Sequence, residues 1–142
     1  MKRSDELITS KVLDSFALIA YFEDEQGADE VEALLQQAEK GEVQLLMSVV
    51  NLGEVWYIVA RAYSPEIADE KWQDIQGMAI KIVDVDWGLT IEAAQFKAGG
   101  KMAYADCFAA ALAKKNNAVL ITGDPEFKQL SGQVKIHWLP QK

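Results

Sequence analysis

Residues 104–130 read YADCFAAALAKKNNAVLITGDPEFKQL, and the character of the chain changes twice within them. The first part is rich in alanine and closes on Lys114-Lys115-Asn116, which predicts a helix over 104–116. AVLIT follows as a short apolar run between turn residues, the mark of a buried strand. Asp124, Pro125 and Glu126 then spell a helix start, so DPEFKQL reads as a short helix.

The same alternation extends in both directions. Towards the N-terminus, KVLD (11–14) reads as a first strand and SFALIAYF as a first helix. Val31, Leu34, Leu35 and Ala38 recur at helical spacing within 27–40, and Gly41 closes that helix. VQLLM (43–47) is a second strand and 49–63 a helix, and Ser64-Pro65 starts another helix that runs to about Gly77. IKIVDV (80–85) is a third strand and 88–98 a helix that ends at Gly99-Gly100. Towards the C-terminus, VKIHWL gives a final strand. Strands that alternate with helices predict an α/β fold, a parallel sheet covered on both faces. Functional sites in such folds lie beyond the C-terminal ends of the strands, at a switch point in strand order.

The 142 residues fit one domain, taken as 1–142, with no repeat or low-complexity segment. Cys107 is the only cysteine, so no internal disulfide can form, and a reducing compartment is expected. The charged stretch MKRSDELITSK is followed by no apolar leader, and no run is long enough to cross a bilayer; the cytoplasm is the expected location. A net charge of −8 argues against a broad basic nucleic-acid interface. Any phosphate substrate would need local neutralisation, which cations held by acidic side chains can supply.

Four acids occupy the expected site positions, and each also has a structural reading. Asp14 ends the first strand and is placed to cap a helix. Asp124 does the same after the fourth strand, with Thr122 and Gly123 supplying a hydroxyl and a permissive backbone just before it. Glu54 lies in VVNLGEVWYIVARAY beside a buried stripe of Leu52, Val55, Trp56, Val59 and Tyr63. With Asn51 and Arg61 it forms a narrower strip, which would be solvated but for Ile58. Asp106 is in the first turn of the Ala-rich helix, where it offsets the helix dipole. Jointly, all four fall just after a strand or early in a helix, places that share one edge of a parallel sheet. Clustered carboxylates repel one another and match the hard oxygen chemistry of Mg²⁺ or Mn²⁺.

Other chemistries lack their residues. His137, the one histidine, is in the final strand, which rules out a two-histidine ribonuclease and, with one cysteine, a usual zinc site. There is no credible Ser-His-Asp triad and no phosphate-binding GxxxxGK[ST] loop. Asp84 and Asp86 imitate a phosphohydrolase pair but come late, and they read as a strand end.

The segments VLDSFALIAYF, MSVVNLGEVWYIV, YADCFAAALAKKNNAVLITGDPEFKQL and VKIHWL together resemble PIN domains, in particular the VapC-type toxins of type II toxin–antitoxin systems. The resemblance covers nearly the whole chain in order. It implies a three-layer α/β/α fold with a five-stranded parallel sheet in the order 3-2-1-4-5, and Mg²⁺- or Mn²⁺-dependent cleavage of RNA. Strands one and four are neighbours in that order. The implied catalytic and metal-binding acids are Asp14, Glu54, Asp106 and Asp124, with the Thr122 hydroxyl behind them. Cys107 stands where a smaller residue is more usual. A homodimer and an antitoxin partner are implied as well. Lys97, Lys101 and Lys128 are candidates for phosphate contacts, against the plain reading of solvated surface lysines. Two other readings stay open: a PIN-like interaction module that does not cut, and another Mg-dependent phosphohydrolase on the same sheet.

Overall fold

The computed structural model describes residues 8–140; the charged N-terminal residues 1–7 and residues 141–142 lie outside them. The chain runs β1 (Thr9–Leu13), α1 (Ser15–Phe22), α2 (Ala28–Glu39), β2 (Val43–Ser48), α3 (Val49–Ala62), α4 (Pro65–Gln76), β3 (Ile80–Val83), α5 (Trp87–Ala98), α6 (Tyr104–Lys115), β4 (Val119–Thr122), a 3₁₀ turn (Pro125–Leu130) and β5 (Ile136–Trp138). All four strand pairs are parallel and the order is β3-β2-β1-β4-β5. The chain reverses its direction of travel across the sheet between β1 and β4, and the expected switch point falls there.

Strand periodicity divides the core into two layers. Val12, Leu46 and Leu120 point to one face and pack with α5 and α6. Their neighbours Leu13, Leu45, Met47 and Ile121 point to the other and pack with α1, α2, α3 and α4. Successive strand residues must face opposite ways, so a run apolar at every position requires cover on both sides. The alanines of α6 have a spatial cause. Cys107 through Ala113 are all buried, and small side chains let this helix lie close to the sheet, to α5 and to α3. No described helix is long and apolar enough to cross a membrane.

Two elements differ from expectation. DPEFKQL forms a 3₁₀ turn, not an α-helix: its amides reach back three residues, as Phe127 N–H does to the Asp124 carbonyl at 3.2 Å. Asp124 and Pro125 fix its start, and six residues suit this tighter winding. β5 covers only Ile136–Trp138, because an edge strand has a single neighbour to pair with. The Asp84/Asp86 motif, read as the end of a strand over 80–85, falls between β3, which stops at Val83, and α5. Asp84 is exposed beyond β3. Asp86 caps α5, accepting from Leu89 N–H at 2.8 Å, and that bond followed by nearby Lys115 lowers its pKa.

Gly123 sets how closely the β4 exit approaches α1. A Cβ there would lie 2.8 Å from Cζ of Phe16 and nearer still to Cε1, well inside van der Waals contact. The absent side chain lets the ring sit over the backbone that leads into Asp124. Gly123→Ala should therefore destabilise the fold by about 1–3 kcal/mol, read by urea unfolding. Phe16→Ala in the same background should make the added methyl nearly harmless. A neutral single variant would show that the ring moves aside freely.

Candidate active site

Asp14 leaves the end of β1 and is only 1% exposed. Its Oδ1 accepts from Ala17 N–H at 2.9 Å and caps α1. Its Oδ2 accepts from the Thr122 hydroxyl, at the end of β4, at 2.5 Å. The same hydroxyl oxygen accepts from Asp124 N–H at 3.0 Å. Thr122 thus joins the two acids, as its place two residues before Asp124 suggested, and it is fully buried. Asp124 caps the 3₁₀ turn through Glu126 N–H at 2.9 Å. The capping readings of Asp14 and Asp124 hold, and they exclude nothing: Asp124 has a second oxygen, and each Asp14 oxygen keeps a further lone pair.

Glu54 comes in from α3, where its Oε1 accepts from the Ser15 hydroxyl at 2.6 Å. One turn earlier, Asn51 is fully buried and its Nδ2 donates to the Ala105 carbonyl in the first turn of α6 at 3.0 Å. The strip carrying Asn51 and Glu54 changes character along α3. It is covered at the start, whereas Arg61 at the far end is exposed and lies over the Tyr57 ring. Asp106 is buried on α6 and makes no side-chain hydrogen bond among the described residues.

The acids share an electrostatic neighbourhood. Burial pushes the Asp14 carboxyl up to about 7, against the opposing bonds from Thr122 and Ala17; negative charge on Asp106 and Asp124 adds to the rise. Asp106 is also pushed up to about 7, first by burial and then by Asp124, Glu54 and Glu126. Glu126 is thus a fifth acid in reach. None of these carboxylates has a Lys, Arg or His ion-pair partner among the described residues. Asp106 and Asp124 thus act on Asp14, and Asp124 and Glu54 act on Asp106, near the switch point.

As they stand, no group of three or more His, Cys, Asp or Glu side chains among the described residues is arranged to hold a metal ion. The donor set nevertheless fits a hard dication in kind: oxygen donors only, with surplus negative charge that no described Lys, Arg or His offsets. The lysines are divided. Lys97 Nζ donates to the Met102 carbonyl at 2.7 Å and so braces the loop before α6. Lys101 and Lys128 are exposed. His137 is exposed on β5 and pairs with Glu30 at 3.0 Å. Cys107 is a buried free thiol whose pKa burial raises. Sequence reasoning gave no part in the site to Ser15, Asn51 or Glu126. Ser15 stood beside Asp14 and Asn51 shared the strip of Glu54, but their partners lie 39 and 54 residues away and no local pattern reveals them.

The chain belongs to the PIN-domain family, whose model matches residues 11–133. No curated protein matches it. Among solved structures it is similar to VapBC2 from Rickettsia felis bound to a DNA fragment from its promoter, with a TM-score of 0.71, 19% identity, and coverage of 93% of this chain and 100% of that one. VapBC-5 from Mycobacterium tuberculosis, a member of the VapBC family of toxin–antitoxin systems, gives 0.60 and 18%, over 94% and 99%. VapC20 from Mycobacterium tuberculosis, a toxin that cleaves the sarcin–ricin loop, gives 0.67 and 14%, over 87% and 95%. These likenesses establish the fold, a five-stranded parallel sheet between two helical layers.

The raised carboxyls give a signed pH dependence. Both folded pKa values lie above the ordinary 3.8, so between about pH 4 and pH 7 the folded state binds more protons than the unfolded one. The stabilisation is present below that window and fades as pH rises through it. In the metal-free protein, Asp106→Asn should match wild type near pH 4 and melt at a higher temperature above pH 7. Equal melting temperatures for the two proteins at both ends of the window would refute the raised Asp106 carboxyl.

Proposed function

We propose that this chain is a metal-dependent endoribonuclease and the toxin of a toxin–antitoxin pair. The observation that carries the reading is the buried, cation-free meeting of Asp14 and Asp106, with Glu54 and Asp124 within their field, at the switch point of a PIN fold. Such a cluster is costly when empty and favourable around a dication. Asp14, Glu54, Asp106 and Asp124 would hold Mg²⁺ or Mn²⁺, and the bound ion would activate water and offset charge on a scissile phosphodiester. Thr122 orients Asp14 through its hydroxyl, and Ser15 orients Glu54. Assembly requires the carboxylates to turn toward a common point. Glu54 can do so by giving up the Ser15 bond, whereas Asp14 is held from both sides.

RNA is the proposed substrate, supported by the family and by the description of VapC20 as a loop-cleaving toxin. Lys101 and Lys128 are free to meet its phosphates. Lys97 would first have to leave Met102. An antitoxin that presents Arg to the acids would match their charge, since Arg pairs with carboxylates in bidentate fashion. A homodimer and a cytoplasmic location complete the reading.

Purified protein should cut RNA with Mg²⁺ or Mn²⁺ and not in EDTA. Asp14→Asn, Glu54→Gln and Asp106→Asn should each lose at least about 100-fold in rate, and Asp124→Asn should lose less. Metal at 100 Kd should stabilise the fold by about 2.7 kcal/mol, a melting shift of roughly 5–10 °C. Asp14→Asn should abolish that shift while its cap survives, because Asn caps as well as Asp. Melting that ignores both ions, with RNA left intact, would favour a PIN-like module that does not cut. Hydrolysis of small phosphoesters with RNA intact would favour a different phosphohydrolase.

A further inference from the structure

Asn51 is the buried polar side chain that the functional reading leaves unexplained. It is 0% exposed, and its Nδ2 donates to the Ala105 carbonyl across the junction of α3 and α6. Its Oδ1 is buried with no hydrogen-bond partner among the described residues. Exchanging the amide's oxygen and nitrogen would not relieve this, because it would set two acceptors, Oδ1 and the Ala105 carbonyl, face to face. A buried acceptor without a donor costs about 1–3 kcal/mol, so an apolar residue of the same size would suit this position better if packing were the only requirement.

The position of Asn51 supplies the missing requirement. It stands one helical turn before Glu54, and the carbonyl it holds is adjacent to Asp106. α6 begins without a capping side chain at Ala103, and Asp106 makes no side-chain hydrogen bond among the described residues. Apart from packing, the first turn of α6 is therefore fixed to α3 by the Asn51 amide. We propose that Asn51 is a positioning residue, which sets the separation of Glu54 and Asp106 and keeps Oδ1 as an acceptor for a donor that enters with the ligand, such as water carried by a divalent cation. The inference rests on the metal-nuclease reading for its purpose, while the tie itself stands on geometry.

Two variants separate positioning from simple core structure. Asn51→Leu keeps the volume and removes both the tie and the orphaned acceptor. Asn51→Asp keeps the shape and the acceptor but replaces the N–H that faces Ala105. If Asn51 positions the acids, Asn51→Leu should melt close to wild type, the two losses offsetting one another. Its Mn²⁺ affinity, by calorimetry, should fall by at least about tenfold, and Asn51→Asp should fall similarly. If Asn51 only fills the core, folded Asn51→Leu should bind Mn²⁺ as wild type does, which overturns the proposal. Tighter Mn²⁺ binding by Asn51→Asp would also overturn it, by making the position a ligand and not a tie. Should Asn51→Leu fail to fold, Asn51→Asp carries the same comparison. A wild type that binds no Mn²⁺ would sink the metal reading alone. The tie is then read from the metal-free protein. The Cys107 amide, which closes the first turn of α6 on the Ala103 carbonyl, should exchange at least tenfold faster in both variants, and unchanged exchange refutes the tie.

Discussion

The structure turns on one buried carboxylate. Asp14 closes β1, starts α1 and receives the Thr122 hydroxyl from the neighbouring strand, so it is at once a cap, a cross-strand tie and the centre of a field of like charges. Removing a charge from water without a counter-charge is among the least favourable things a fold can do. Two hydrogen bonds offset part of that cost, and the remainder leaves a proton easily held near neutrality. Everything around the switch point accommodates this arrangement. Gly123 thins the backbone beneath Phe16, Thr122 spans two acids, and α6 uses alanines to bring Asp106 close without crowding it.

The helix that carries Asp106 shows how packing and chemistry constrain each other. A larger residue at Ala109, which is fully buried, would push α6 from its neighbours and would move the acid with it. The close fit explains why this helix is buried over almost its whole length while α4 and α5 keep broad exposed faces. A layer that also fixes a site tolerates less freedom than one that merely covers a sheet.

Most of the fold was legible because its signals are local. Apolar runs of four to six residues, helix starts at Asp14, Ser64 and Asp124, and the stop at Gly41 each depend on neighbours in sequence, and each helix and strand they marked is present. The short helix after Asp124 is present, and its 3₁₀ winding was not legible because its composition suits either helix type. In the site, the acids stood out as polar residues at strand ends and in apolar helices, and the structure gathers them. Their supports did not stand out. Ser15 and Asn51 are ordinary residues until their distant partners are known, and Glu126 looked like first-turn charge until the β4 exit placed it near Asp106.

The Thr122–Asp14 bond joins residues 108 apart in sequence, and that separation has a temporal consequence. β1 is made early in synthesis, yet its neighbour β4 is made late, after both crossover helices on the opposite face. Contacts of such long range form slowly, because a large loop must close before any of them is rewarded. An emerging chain therefore carries Asp14, then Glu54, then Asp106 before the strand that ties Asp14 in place. The bond between Asp14 and Thr122 closes only when β4 pairs with β1. In a sheet connected this way, the carboxylate at the end of β1 waits for its cross-strand donor until late in synthesis.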